Sequence, residues 1–210
     1  MDIVRTLANV ESHVSDFLFG AKLRYYGLHE ASQIFTHMSP RERKQLFNLA
    51  RQVPHNASAL EIGSYLGASA CFLAAGLRLI GGHLYCVDTW NNETLPEGER
   101  DTFPEFQSNT ARYHDTITTI RKRSEYLTDG DVLTPLDLVF IDGDHSEPAV
   151  AKDVAITGPW IRPGGTLVFH DAAYFPSVAR VIGATLVTGQ WQLGGMVDNM
   201  LWLIRRDTDK

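Results

Sequence analysis

The chain has 210 residues, enough for one domain, or one domain with a helical extension, around a sizeable core. At 44% hydrophobic and 21% charged it has a globular composition, without a low-complexity tract or an apolar run of membrane-spanning length. A formal net charge of −6 argues against nucleic acid or an anionic membrane as the main partner, and the one tight basic cluster, Arg121-Lys122-Arg123, reads as a solvated turn.

In chain order, residues 1–52 read as helical, without strand-like alternation. Ser39-Pro40-Arg41-Glu42 is a helix start, with Ser39 as N-cap, Pro40 at the first position and Glu42 at the third. Leu46, Phe47, Leu49 and Ala50 give that helix one apolar face, and Pro54 ends it. Such a face needs a surface to cover it, so this extension is expected to pack on the main domain or on a second subunit of a homo-oligomer. The domain proper is expected over 53–210.

From residue 57 the chain alternates. Strands are predicted at 59–62, 83–87, 116–120, 136–141, 166–169, 184–187 and 200–204, with helices at 68–79, 102–113 and 149–160. Nearly continuous apolar strands separated by helices predict an α/β fold, a doubly wound and mostly parallel sheet covered on both faces. The polar connection opening at Val187-Thr188-Gly189-Gln190 is too short for a crossover helix, so the last two strands should form an antiparallel pair. The polar, glycine- and proline-containing segment 91–101 reads equally as a tolerated insertion or a substrate lid. Cys71 and Cys86 sit in apolar segments without a C-x-x-C and read as buried, reduced thiols. With no secretory signal evident, a cytoplasmic protein is expected.

The first strand runs into Glu61-Ile62-Gly63-Ser64-Tyr65-Leu66-Gly67-Ala68-Ser69, a glycine loop preceded by an acid. Glycines there let backbone N–H groups approach a ligand. Glu61 would repel a pyrophosphate, and the spacing E-x-G-x-x-x-G is not the dinucleotide fingerprint. A cationic or zwitterionic cofactor suits the loop better, and S-adenosylmethionine (SAM) is the evident candidate. Ligands of doubly wound sheets bind beyond the carboxyl ends of the strands. The polar residues that close them are Glu61, Asp88, Ser124, Asp142 and Asp171. Asp88 is placed to hold a ribose diol; its plainer reading is an exposed strand-end acid. Trp90 could cover the adenine or simply belong to the core, and Ser124 is a weaker candidate for the adenine edge. Asp142, Asp144, His145, His170 and Asp171 converge from two adjacent strand ends, as a base, as metal ligands or, for some of them, as helix caps.

These motifs resemble the class I SAM-dependent methyltransferases, and most closely the family that includes the macrocin-type sugar O-methyltransferases. The residues that carry the resemblance are Glu61 to Ser69, Val87-Asp88-Thr89-Trp90, Phe140-Ile141-Asp142-Gly143-Asp144-His145-Ser146, and Arg162-Pro163-Gly164-Gly165 through His170-Asp171. Together they span about residues 57–175. The resemblance implies a seven-stranded sheet with an antiparallel last strand, and SAM held by Glu61, Gly63, Ser64, Tyr65, Gly67, Ser69, Asp88, Trp90, Ser124 and Asp142. Related catechol-type enzymes place Asn after the acid that ends the fifth strand, where this chain has Ala172.

The expected reaction is O-methylation of a small-molecule hydroxyl, on a sugar or another natural product. His145 or His170, beside Asp171, would remove the acceptor's proton. The alternative is a magnesium-type cation on Asp142 and Asp171 that lowers the hydroxyl's pKa; the missing Asn tips the choice slightly toward histidine. An NAD-dependent oxidoreductase and a non-catalytic binding module are the rival readings. Glu61 and the loop spacing weigh against the first, and the ionisable cluster against the second.

Overall fold

The computed structural model describes residues 23–93 and 98–207. The part of the expected helical extension before residue 23, and residues 94–97 of the polar segment, lie outside the described residues. Helix α1 (Pro40–Gln52) starts as its sequence dictates. The Ser39 side chain accepts from the Glu42 N–H at 3.2 Å, and the Glu42 carboxylate accepts from the Ser39 N–H at 2.6 Å, a closed capping box. Leu46, Phe47, Leu49 and Ala50 bury its apolar face, each large side chain contributing about 1.5–3 kcal/mol. That face lies on α2 (Ala68–Arg78). The fit depends on Gly76, where a Cβ would come within 2.7 Å of the Phe47 carbonyl oxygen.

Seven strands form one sheet in the order β3-β2-β1-β4-β5-β7-β6. They are β1 (Ser58–Ile62), β2 (His83–Asp88), β3 (Ile117–Arg121), β4 (Leu136–Ile141), β5 (Ile161–Phe169), β6 (Trp191–Val197) and β7 (Met200–Arg205). β1 to β5 pair in parallel, and β7 lies antiparallel to both β5 and β6. Helix α3 (Phe103–Thr110) precedes β3, α4 (Glu147–Thr157) lies between β4 and β5, and α5 (Pro176–Val187) follows β5. One apolar cluster lies under α1 and α2, and a second, with Val150, Val178, Val181 and Ile182, lies under α4 and α5. The reading of a doubly wound, mostly parallel sheet with an antiparallel last strand holds.

One predicted strand was wrong. Residues 184–187 are the last turn of α5, whose buried Val178, Val181, Ile182 and Thr185 follow helical spacing. The polar stretch after Val187 therefore joins a helix to β6, and the hairpin turn falls at Asp198-Asn199. β6 escaped notice because it is a sheet edge with an exposed middle, residues 192–194, and carries Gly194 and Gly195. A Cβ on either glycine would stand 2.4 Å from the Trp202 ring, which crosses them.

Candidate functional site

The carboxyl ends of β1, β2, β4 and β5 open into one cavity of about 960 Å³, closed on another side by Phe35, Thr36 and His37 ahead of α1. That volume is at the upper end for a small-molecule site.

At one end lies the glycine loop. Gly63 has φ 87°, and a Cβ there would sit 2.1 Å from the backbone oxygen of Asp142. The loop is held from β2: Asp88 Oδ2 accepts the N–H groups of Ser64 (2.8 Å) and Tyr65 (2.9 Å), and Oδ1 accepts the Trp90 N–H (2.7 Å). Gly63, Ser64, Tyr65, Ser69, Asp88 and Ser124 all line the cavity. Gly67 lies behind it, as the left-handed N-cap of α2. Glu61 does not reach the cavity. It is fully buried beneath the loop, accepting from Ser64 Oγ at 2.6 Å, and its Oε1 has no hydrogen-bond partner among the described residues. Burial pushes its pKa up, against hydrogen bonds from Ser64, Ser69 and Cys86, to about 7. Glu61 therefore shapes the loop from below. Trp90 also requires correction. Its ring is fully buried and packs on Phe103 and Phe106, each at 4.8 Å, because a left-handed backbone (φ 53°) turns it under α3. The plainer reading of Trp90, core, is the one the fold uses.

Removing the Asp88 carboxylate strips an acceptor from two glycine-loop N–H groups and from that of Trp90 at once. Asp88→Ala is expected to weaken S-adenosylhomocysteine binding by about 1.5–3 kcal/mol, the range for hydrogen bonds to a charged group. Calorimetry showing unchanged affinity with a folded protein would remove Asp88 from the site.

At the other end the ionisable groups meet. His170 Nδ1 lies 3.1 Å from Asp142 Oδ1 and 3.4 Å from Asp171 Oδ2. His145 Nε2 lies 2.9 Å from Asp171 Oδ2 and 3.8 Å from Asp142 Oδ1, as charge contacts rather than aligned hydrogen bonds. The His145 ring stacks flat on Phe175, with centroids 4.4 Å apart. Asp144 accepts the Ser146 N–H at 2.7 Å in the turn ahead of α4 and also lines the cavity.

Two groups went unrecognised. Glu42 of α1 faces His170 Nε2 at 3.5 Å. Asn199, in the β6–β7 turn, donates its side-chain amide to Asp171 Oδ1 and its backbone N–H to Glu42 Oε1. Glu42 was visible only as a capping residue, and nothing in the sequence ties position 199 to position 171.

The carboxylates decide the histidines' charge. Burial disfavours a charged His170, but Asp142, Asp171 and Glu42 outweigh it and push its pKa up to about 12. For His145, Asp142 and Asp171 likewise overcome burial and push the pKa up to about 9. Asp171, despite its own burial, is held well below the usual carboxylate range by the two histidines. The expectation that either histidine stands ready as a neutral base is corrected accordingly. His170, 3% exposed and wedged among carboxylates, borders the cavity as a charged ring. His145 borders the cavity but is mostly protonated at neutral pH.

Asp142, His170 and Asp171 each offer one ligand atom within 4.8 Å of the others. Two carboxylates and a ring nitrogen fit a divalent cation as a donor set, although His170 Nδ1 already spans the two acids.

A protein-family model described as a methyltransferase domain matches residues 60–172. Among solved structures, the chain is similar to the O-methyltransferase NovP (12% identity, 82% of each chain covered, TM-score 0.68). It is also similar to the O-methyltransferase from Bacillus cereus in complex with SAH (18% identity, 94% of this chain and 97% of that one, TM-score 0.68). A third is the O-methyltransferase TomG from Streptomyces achromogenes in complex with SAM (19% identity, 81% and 82% covered, TM-score 0.60). At these identities the likeness is one of fold.

Proposed function

The chain belongs to the methyltransferase-domain family, and from that premise we propose that it moves a methyl group from SAM to a hydroxyl of a small, ring-bearing molecule, in the manner of the macrocin-type sugar O-methyltransferases. The observation that carries this reading is one continuous cavity with a glycine loop at one end and the Asp142–His145–Asp171 cluster at the other. SAM bound at the loop would supply an activated methyl on a sulfonium, displaced in line by the acceptor oxygen with release of S-adenosylhomocysteine.

The chain's own part is alignment and proton handling. Ser64, Tyr65 and Asp88 would fix the cofactor's position, and alignment in favourable cases is worth about 7–11 kcal/mol. Phe35, Tyr65, Tyr174 and Phe175 border the same cavity, with Tyr174 72% and Phe35 54% exposed. Such surfaces suit the face of a ring, whether a sugar or an aromatic natural product. Phe35, Thr36 and His37, ahead of α1, border this cavity, which supports an acceptor-side role for that segment. Among the described residues no helix is long and apolar enough to cross a membrane.

The acceptor's proton passes to His145 once that ring has lost its own. Turnover should therefore rise with pH toward about 9, where His145 becomes neutral. Stability should move the opposite way. A histidine whose folded pKa is raised stabilises fully below its unfolded value of about 6.5, and this contribution is lost as pH rises to about 9. His145→Ala should lower turnover by about 10²–10⁴-fold with SAM binding retained. A divalent cation on Asp142 and Asp171 is the competing device; it would lower the hydroxyl's own pKa. EDTA that stops turnover, restored by magnesium, selects the metal; EDTA without effect and a rate climbing to pH 9 select His145. The overall reading is tested by calorimetry with S-adenosylhomocysteine and with NAD, followed by transfer from labelled SAM to a panel of sugar and aromatic alcohols. Binding of NAD in place of S-adenosylhomocysteine would overturn it, and tight cofactor binding without transfer to any acceptor would favour the binding module.

A further inference from the structure

Glu42 is more deeply buried than its capping role requires. A capping-box glutamate needs only to reach back to its own N-cap and can sit at the solvent edge, and glutamate is almost never fully buried unless paired. Here it is 2% exposed. Its Oε2 accepts the Ser39 N–H at 2.6 Å and stands 3.5 Å from His170 Nε2, and its Oε1 accepts the Asn199 N–H at 2.8 Å. The His170 ring is almost as buried. Its Nδ1 side is taken by Asp142 and Asp171, and among the described residues Glu42 is the group that faces Nε2. Charged groups thus bracket the ring at both edges, the strand-end acids at Nδ1 and, as a 3.5 Å charge contact rather than an aligned hydrogen bond, the first turn of α1 at Nε2.

We propose that Glu42 is a positioning residue for methyl transfer: it fixes the His170 ring so that the ring bridges Asp142 and Asp171 and holds both carboxylates at the acceptor end of the cavity. Glu42 does not line that cavity and acts through His170. Its partner Asn199 reinforces the arrangement from the hairpin, donating to Asp171 while its backbone is held by Glu42. An element well outside the cofactor-binding motifs thereby determines the geometry of the acids.

The kinetic part of this inference rests on the methyl-transfer reading above. Glu42→Gln keeps the size of the side chain but cannot accept at both oxygens. It is expected to lower kcat by about 10–100-fold, the range for residues that orient an active-site ligand, with S-adenosylhomocysteine affinity unchanged. Leu46→Val, on the buried face of the same helix, serves as a control that loosens α1 without touching the cluster. Glu42→Asp retains the charge but draws it back by one methylene, and should fall between Glu42→Gln and the unaltered protein; it is the working variant if Glu42→Gln does not fold. Unaltered kcat in the Glu42 variants, or an equal loss in Leu46→Val at a matched Tm, would overturn the proposal. A second readout needs no acceptor: the His170 ring resonances, followed by NMR, should shift in the Glu42 variants and stay in place in Leu46→Val. If no acceptor is methylated even by the unaltered protein, the methyl-transfer reading is what fails, and the ring resonances alone decide: displacement in the Glu42 variants only supports the positioning role, and unchanged resonances refute it.

Discussion

Asp171→Asn is expected to abolish methyl transfer, by about 10²–10⁴-fold, while S-adenosylhomocysteine still binds. Asn is the informative replacement because position 171 has a left-handed backbone (φ 57°), which Asn tolerates and most residues do not. The amide keeps the shape of the carboxylate but not its charge. Oδ2 of Asp171 serves both histidines, and Oδ1 takes the Asn199 amide. With the charge gone, His145 is left with Asp142 alone and loses the group that orients it, while His170 keeps only Asp142 and Glu42. Nothing at the glycine loop changes. The measurement is a single-turnover rate with labelled SAM, beside calorimetry on the same preparation. A rate near that of the unaltered protein would mean that the cluster is structural and that alignment alone drives the reaction. Because Asp171 is also a candidate cation ligand, magnesium should fail to rescue the variant under either mechanism, and the EDTA experiment remains the discriminating one.

The second large effect is on the fold itself. Gly63→Ala should lower stability by about 2–5 kcal/mol, combining a left-handed penalty of about 1–2 with overpacking of about 1–3. For a chain of this size that corresponds to a fall in Tm of roughly 5–20 °C. The added methyl would meet the Asp142 backbone oxygen at 2.1 Å, and neither partner can yield, since both end central strands that pair with each other. A glycine in such a loop suggests that a side chain would fill cofactor space. Here the nearer obstacle is the neighbouring strand, so damage to cofactor binding should accompany loss of stability. Thermal unfolding of Gly63→Ala checks this; an unchanged Tm with lost cofactor affinity would restore the simpler view.

The elements legible in the sequence were those with strong local signals. β4 was foreseen residue for residue because it is an unbroken apolar run, and α1 because Ser39, Pro40 and Glu42 announce its start. The failure at 184–187 has a physical cause: a short apolar run holding the β-branched Thr185 and Val187 outweighed a helical period that only the longer stretch 178–185 reveals. At the site, strand-end logic identified Asp88, Asp142, His145, His170 and Asp171, since residues that close adjacent parallel strands must emerge together. It could not supply the histidines' protonation, which depends on distances to three carboxylates. Nor could it find Glu42 and Asn199. Their role arises where the first helix and the last hairpin meet, a juxtaposition that no spacing rule encodes.

That meeting also bears on how the protein is made. Glu42 and Asn199 stand 157 positions apart, and the acids they bracket lie between them in the chain. On a ribosome, the pairing of β1, β2 and β4 that builds the glycine-loop end can be complete before the last hairpin has been synthesised. The acceptor end cannot be, because Asp171 waits for the Asn199 amide. Contacts of such long sequence separation form late. A growing chain would thus gain its cofactor cradle first and its chemistry last, which keeps a half-made molecule from having an organised acid cluster while its hairpin is still being translated.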